Sequence, residues 1–218
     1  LENKKIFSRD IIRRYKIDFK PNYILMLSTA IIYWGLIYKF GIQDSFIGNV
    51  DLIKYIILTP MLLVALVIDY KKQILPNRLT LTMFEIGLVI AVLCGFSQIA
   101  ITIEMLLGML VGVLIFLVIT LIGYLFYGKD SMGLGDIKFI GALGLYFGMT
   151  NITVISIIAF LIGAIWSVIM IVSKRKKVDE YLPFGPFIVI ATFLSMFIKV
   201  EMLLYILKVI FSLGMYKK

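Results

Sequence analysis

The chain has 218 residues, 61% of them hydrophobic, with a mean hydropathy of +1.03, whereas soluble domains are about 45–50% apolar. This composition excludes a soluble globular domain and predicts an all-α, polytopic transmembrane helical bundle. With no histidine and one cysteine, Cys94, the sequence excludes histidine-dependent catalysis, an internal disulfide and a cysteine zinc site. We therefore predict no metal and no cofactor. The net charge of +9 comes from basic clusters between apolar runs, which indicates membrane topology rather than nucleic-acid binding.

Residues 1–20 contain seven lysines and arginines and predict a basic cytoplasmic segment in contact with membrane lipid. We expect no cleavable signal peptide, because the basic start is too long and no small-residue cleavage site follows the first apolar run. Residues 21–218 form one predicted membrane-embedded domain of about seven to eight membrane segments, one of them short or re-entrant.

In chain order, the apolar runs predict segments at about 23–38, 52–68, 79–96, 101–126, 137–149, 152–172, one opening at 182–187, and 202–215. The run 137–149 is shorter than the ~20 residues of a full crossing, so we expect it to pack between other helices. Gly108 and Gly112 in the fourth segment are one turn apart and predict a close-packing face for a neighbouring helix.

The distribution of lysine and arginine predicts the orientation of these segments. These residues cluster at the N-terminus, in the predicted inner loops and in the tail, whereas the predicted outer side has only Lys39, Lys54 and Lys199. We therefore expect a multi-pass protein of the cytoplasmic (plasma) membrane with both termini in the cytoplasm.

Two aspartates are the candidates for chemistry. Asp69 ends the second apolar run and Asp136 begins the fifth, which places both on the predicted cytoplasmic side. A carboxylate in a membrane segment costs at least ~2.5 kcal/mol on insertion, so such a group is a functional hypothesis by default. Two neighbouring carboxylates are the minimum set for an aspartic peptidase, in which one activates water and the other protonates the amide. The alternative is that each is an ordinary residue at the membrane interface.

The residues around the aspartates favour the functional interpretation. Gly133 and Gly135 precede Asp136 and would allow a tight turn and the close approach of a peptide or a second helix. In the short basic loop after Asp69, Pro76 cannot continue a helix and Asn77 is predicted to cap the next one.

Three separated motifs resemble those of the type IV prepilin peptidases, also called leader peptidases, and the similarity runs from about Arg14 to the end. They are Val67-Ile68-Asp69 with Ile74-Leu75-Pro76-Asn77-Arg78-Leu79-Thr80, then Lys129-Asp130-Ser131-Met132-Gly133-Leu134-Gly135-Asp136-Ile137-Lys138, and Leu182-Pro183-Phe184-Gly185-Pro186-Phe187. The resemblance implies a membrane aspartic endopeptidase that removes the basic leader of prepilins or pseudopilins at the cytoplasmic face. Asp69 and Asp136 match the family's two catalytic aspartates.

Many bacterial members also carry a cysteine-rich cytoplasmic loop and N-methylate the new terminus with S-adenosylmethionine. This sequence has no paired cysteines, so we expect peptidase activity without methyltransferase activity. A peptidase-only enzyme or a shortened sequence would each explain the difference.

Several other residues are candidates for supporting roles. Lys138 either tunes the charge of the aspartates, contacts an acidic part of the substrate, or extends to lipid headgroups, and the last is favoured. Glu85, about two turns into the third segment, is a candidate contact for the basic leader. Pro183, Gly185 and Pro186 either shape the substrate cleft or merely mark the start of a helix.

Two alternative functions remain at this point. A presenilin-like intramembrane protease shares Gly-x-Gly-Asp, but it carries Pro-Ala-Leu near its C-terminus, where this sequence has Pro-Phe-Gly-Pro-Phe. An ion- or proton-coupled transporter would use the aspartates as carriers and show inverted repeats with broken helices. The sequence has no such symmetry, and both aspartates lie at the edge of their segments.

Overall fold

A computed structural model describes residues 23–127, 133–173 and 183–211. Long apolar stretches must satisfy their backbone hydrogen bonds internally in lipid, and all regular structure in these ranges is helical. The seven described helices are α1 (Tyr23–Phe40), α2 (Phe46–Lys72), α3 (Asn77–Gly95), α4 (Ile99–Tyr127), α5 (Leu134–Val172), α6 (Gly185–Phe197) and α7 (Val200–Phe211). The prediction of an all-α polytopic bundle is confirmed.

Five of these helices, α1 to α5, are long and apolar enough to cross a membrane, and a sixth span results if α6 and α7 count as one. The axes of α6 and α7 differ by 119° across the break between them, so the two helices do not form one continuous straight helix. The predicted basic segment 1–20, the basic run 174–177 and the end of the last apolar stretch lie outside the described residues.

Helix α5 has 39 residues, about 58 Å at 1.5 Å per residue, which is roughly twice the hydrocarbon thickness of a bilayer. It reverses direction at Gly148, where φ is 72° and ψ is 177°. A Cβ on Gly112 of α4 would lie 3.0 Å from the Ile140 oxygen and 3.2 Å from Ile152 Cγ1, although a straight helix would separate those two residues by about 18 Å. The predicted short fifth segment and the sixth segment are therefore the two arms of α5.

Glycines allow α4 and the first arm of α5 to pack backbone against backbone. A Cβ added to Gly108 would clash with the backbone of Gly144 and Gly148, and one added to Gly144 would clash with the backbone of Gly108 and Met109. This close approach confirms the packing face predicted from Gly108 and Gly112.

The three lysines predicted on the outer side lie at one end of the bundle. Lys54 pairs with Asp51 at 2.7 Å, and the charges of Asp51 and Lys199 are close enough to Lys39 to interact with it. Lys39 Nζ also donates to the Met196 carbonyl oxygen at 2.6 Å, which places a cation at the C-terminal end of α6, where the helix dipole favours it. Asp69, near the end of α2, and Asp136, near the start of α5, lie at the opposite end of the bundle.

Candidate active site

Asp69 lies three residues before the end of α2 and is 2% exposed. The helix ends because Gln73 adopts a left-handed conformation with φ of 54°, and its N–H donates to the Asp69 carbonyl oxygen at 2.8 Å. This left-handed cap is a common helix terminator. It turns the chain into the short loop 73–76 directly beside the carboxylate.

Asp136 lies in the first turn of α5 and is 4% exposed. Gly133 is the residue that caps this helix, so Asp136 is the third helical residue. Its carboxylate accepts a hydrogen bond from the Gly133 N–H, as in a capping box. The three-residue spacing within Gly-x-Gly-Asp is therefore what holds the carboxylate at the helix start. Gly133 itself has ordinary extended angles, φ −72° and ψ 141°.

The two aspartates line one cleft of about 380 Å³, between the end of α2, the loop after it and the start of α5. Their charges are close enough to interact. Gly135 allows the loop to approach, because a Cβ at this position would lie 3.3 Å from Leu75 Cβ. Residues 67 positions apart in the sequence thus meet at the same end of the bundle.

The start of α6 covers Asp69. The Gly185 N–H donates to the Asp69 carboxylate, and a Cβ on Gly185 would lie only 2.5 Å from Asp69 Oδ2. Oδ2 is buried and accepts no hydrogen bond from any described residue. A buried carboxylate oxygen without a hydrogen bond is costly, so this arrangement lowers the stability of the fold. The positive end of the α6 dipole offsets part of that cost.

Aromatic rings fix the start of α6. Phe184, which caps this helix, packs against Phe116 of α4 at 5.8 Å and Phe160 of α5 at 4.9 Å between ring centroids. Gly163 leaves room for the same ring, since a Cβ there would lie 3.1 Å from Phe184 Cε2. Sequence reasoning did not identify Phe116, Phe160 or Gly163, because their relevance depends on the reversal of α5 at Gly148.

Lys138 and Asn77 also line the cleft, and Lys138 Nζ donates to Asn77 Oδ1 at 3.2 Å. The prediction that Asn77 caps α3 is wrong. Pro76 occupies the capping position, and no side chain there makes a capping hydrogen bond. The Pro76 carbonyl oxygen accepts the first hydrogen bonds of the helix, from the N–H groups of Leu79 at 3.0 Å and Thr80 at 3.3 Å. The Asn77 side chain is thereby left to bind Lys138.

The remaining predicted residues lie away from the cleft or at its border. Glu85 is exposed and lines a separate apolar groove between α2 and α3, so its contact with a substrate stays a prediction. Pro183 precedes α6, and Pro186 lies in its first turn, where proline is compatible with a helix. Neither lines the cleft itself.

Chemically, the cleft presents two buried carboxylates, one at the end of a helix and one at the start of another. Like charges side by side cannot both ionise readily, so such a pair shares a proton. In aspartic peptidases, one member of such a pair accepts a proton from water while the other donates one to the scissile amide. Within the described ranges, no group of three or more histidine, cysteine, aspartate or glutamate side chains is arranged to bind a metal.

Comparison with known proteins identifies a family for most of the membrane-spanning part of the chain. Residues 56–168 match the model of the type IV leader peptidase family, and this range includes both aspartates. No solved structure matches the chain.

Three curated relatives share the name prepilin leader peptidase/N-methyltransferase. The protein of Aeromonas salmonicida strain A449 is 29% identical over 141 residues, 65% of this chain and 47% of the relative. The protein of Legionella pneumophila is 31% identical over 144 residues, which are 66% of this chain and 49% of the relative. The protein of Xanthomonas campestris is 29% identical over 201 residues, which are 90% of this chain and 67% of the relative. The chain thus spans about half the length of the first two relatives. Because the family model covers more than half of it, the chain belongs to the type IV leader peptidase family.

Proposed function

We propose that this protein is a membrane aspartic endopeptidase that removes the basic leader of type IV prepilins or pseudopilins. The observation that carries the proposal is the convergence of Asp69 and Asp136, both almost fully buried, in one cleft at the same end of the bundle. Membership of the leader peptidase family and the names of its relatives support the substrate class.

In the reaction that we propose, the ionised aspartate removes a proton from a water molecule whose oxygen attacks the scissile carbonyl carbon. The protonated aspartate gives its proton to the carbonyl oxygen, which forms a tetrahedral diol. In the collapse of this diol, the amide nitrogen takes up a proton from the aspartate that deprotonated the water, and the C–N bond breaks to release an amine. One hydroxyl group of the diol returns its proton to the other aspartate, which leaves a carboxyl product and restores one ionised and one protonated aspartate. The contacts of Gly133 to Asp136 and of Gly185 to Asp69 hold the two carboxylates in place.

The cleft lies at the cytoplasmic face in this proposal, and both termini lie in the cytoplasm. The positive-inside rule supports this orientation, because Lys71, Lys72 and Lys138 lie at the cleft end together with the basic loops of the sequence. The opposite end has the smaller set, Lys39, Lys54 and Lys199. The substrates are membrane-inserted polypeptides with a basic leader, and nucleic acid is not a partner. The proposed reaction uses only the two aspartates and a water molecule, so it requires no cofactor.

The experiment is the cleavage of a co-expressed prepilin by Asp69→Asn and Asp136→Asn variants, with each variant's amount in the membrane measured by immunoblot. Asparagine keeps the side-chain size but cannot exchange the required proton. We expect both variants to accumulate in the membrane and to leave the prepilin uncut. Cleavage by either variant at the rate of the unchanged protein would contradict the proposal, and cleavage within the substrate's membrane helix would favour a presenilin-like protease.

A further inference from the structure

A second cavity adjoins the catalytic cleft, in the groove between α3, α4 and α5. Helix α3 contributes Asn77, Thr80, Leu81 and Phe84, whose spacing of three and four residues places them on one face of the helix. The groove has a volume of about 380 Å³, which lies within the range of about 300–1,000 Å³ typical of ligand sites.

The other two walls come from α4 and α5. Met109 and Val113 of α4 are one turn apart, and Gly141 and Ala142 lie on the first arm of α5. Gly141 packs tightly beneath Val113, since a Cβ there would lie 2.6 Å from Val113 Cγ2. The floor of the groove therefore consists of small side chains, which leaves room for the side chains of an occupant.

The groove and the catalytic cleft share two residues, Asn77 and Lys138. These are hydrogen-bonded to each other at 3.2 Å and form a polar border between the two cavities. Gly141 follows Asp136 by five residues, so the apolar part of the groove begins about 7.5 Å along the axis of α5 from Asp136. An occupant of the groove that continues past Lys138 therefore reaches the diad.

The chemistry of the two cavities defines the occupant. Beyond Lys138 the groove is largely apolar, whereas the cleft contains two buried carboxylates. A lipid chain would fit the groove and leave its phosphate at Lys138, so it would occupy one cavity and leave the carboxylates of Asp69 and Asp136 without a partner. A polypeptide instead offers neutral backbone N–H donors to the cleft and apolar side chains to the groove.

We infer that the groove between α3, α4 and α5 binds an apolar segment of the polypeptide substrate next to the bond held at Asp69 and Asp136. The inference rests on the proposed function and adds the place where the enzyme recognises its substrate. Leu81 is the best position to test it, because its side chain is 55% exposed and a larger residue fills the groove without disturbing the core.

The test compares Leu81→Trp with Leu88→Trp, a matched control two turns further along α3 that is 40% exposed and outside the groove. Each variant is assayed on a full-length prepilin and on a soluble peptide that carries the same leader and cleavage site but lacks the apolar segment. We expect Leu81→Trp to raise KM for the full-length prepilin about tenfold with little change in kcat. It should leave cleavage of the short peptide unchanged, and Leu88→Trp should behave like the unchanged protein.

A photocrosslinker at position 81 gives a second measurement that does not depend on turnover. In an Asp136→Asn background, reconstituted in vesicles of phosphatidylethanolamine and phosphatidylglycerol, it should crosslink to the apolar segment of a bound prepilin. An unaltered KM for Leu81→Trp, or crosslinks to lipid alone in the presence of prepilin, would overturn the inference. The proposed function would survive that result if Asp69→Asn still abolishes cleavage.

Discussion

Replacing Gly185 by alanine tests how closely the start of α6 is fitted to the diad. The added Cβ would lie 2.5 Å from Asp69 Oδ2 and 3.0 Å from its Cγ, while ordinary van der Waals contact begins near 3.4 Å. Either the carboxylate or the first turn of α6 must therefore move by roughly 1 Å. The rings of Phe116 and Phe160 hold Phe184 in place, so we expect much of the shift to fall on Asp69.

A misplacement of about 1 Å near a reaction centre costs about 100-fold in rate, which corresponds to about 2.7 kcal/mol of barrier at ~1.36 kcal/mol per tenfold. Overpacking also costs about 1–3 kcal/mol of folding stability. We therefore expect kcat of Gly185→Ala to fall about 100-fold while most of the protein remains folded. The assay is cleavage of a leader peptide by detergent-solubilised enzyme, with thermal unfolding measured on the same sample.

Gly35→Ala is the matched control, because its Cβ would lie 2.9 Å from Phe197 Cε1 at the other end of α6. It perturbs the packing of the same helix far from the diad, so its kcat should stay within about threefold of the unchanged protein at a similar loss of stability. Equal losses of activity in the two variants would refute the idea that close contact between Gly185 and the Asp69 carboxylate is needed for activity. A normal kcat in Gly185→Ala would refute it as well.

Three further outcomes follow from the packing. Gly144→Ala brings a Cβ onto the backbone of α4, which cannot rotate away, so its thermal unfolding should show a loss of about 3 kcal/mol or more; a loss below about 1 kcal/mol would contradict the close approach. Gly148→Ala places alanine at φ 72° and ψ 177°, a region open essentially only to glycine, and should lose about 1–3 kcal/mol in the same measurement; unchanged unfolding would argue against the reversal. Asp51→Asn removes the partner of Lys54, which is 6% exposed, and should unfold at a lower temperature than Lys54→Met, because a buried cation without its partner is worse than an apolar side chain. The opposite order would contradict the cost assigned to leaving the Lys54 cation buried without its partner.

Much of the architecture follows from the apolar runs alone. Lipid forces helices wherever the chain is apolar for long enough, and the boundary between α2 and α3 was predictable because Pro76 cannot continue a helix. The start of α2 was not, since Phe46 begins it six residues before the apolar run at Leu52. Polar residues in the first turns carry no hydropathy signal, and here Ser45 caps the helix by accepting from the Gly48 N–H at 3.1 Å.

The convergence of Asp69 and Asp136 was predictable because charge distribution put both span ends on one side. The contact between Gly185 and Asp69 was not, because it depends on where α6 begins in three dimensions. The role of Asn77 was misjudged for a related reason. A preference for asparagine at helix starts is a local tendency, and the preceding proline together with Lys138 outweighed it.

A double-mutant cycle on prepilin cleavage tests most directly whether the two buried carboxylates act as one unit. It compares single-turnover rates of Asp69→Asn, Asp136→Asn and the double variant, each corrected for its amount in the membrane. Groups that act as a unit lose no more together than singly, so we predict that the double variant is no slower than the slower single variant. Losses that multiply, or one single variant with full activity, would contradict the account.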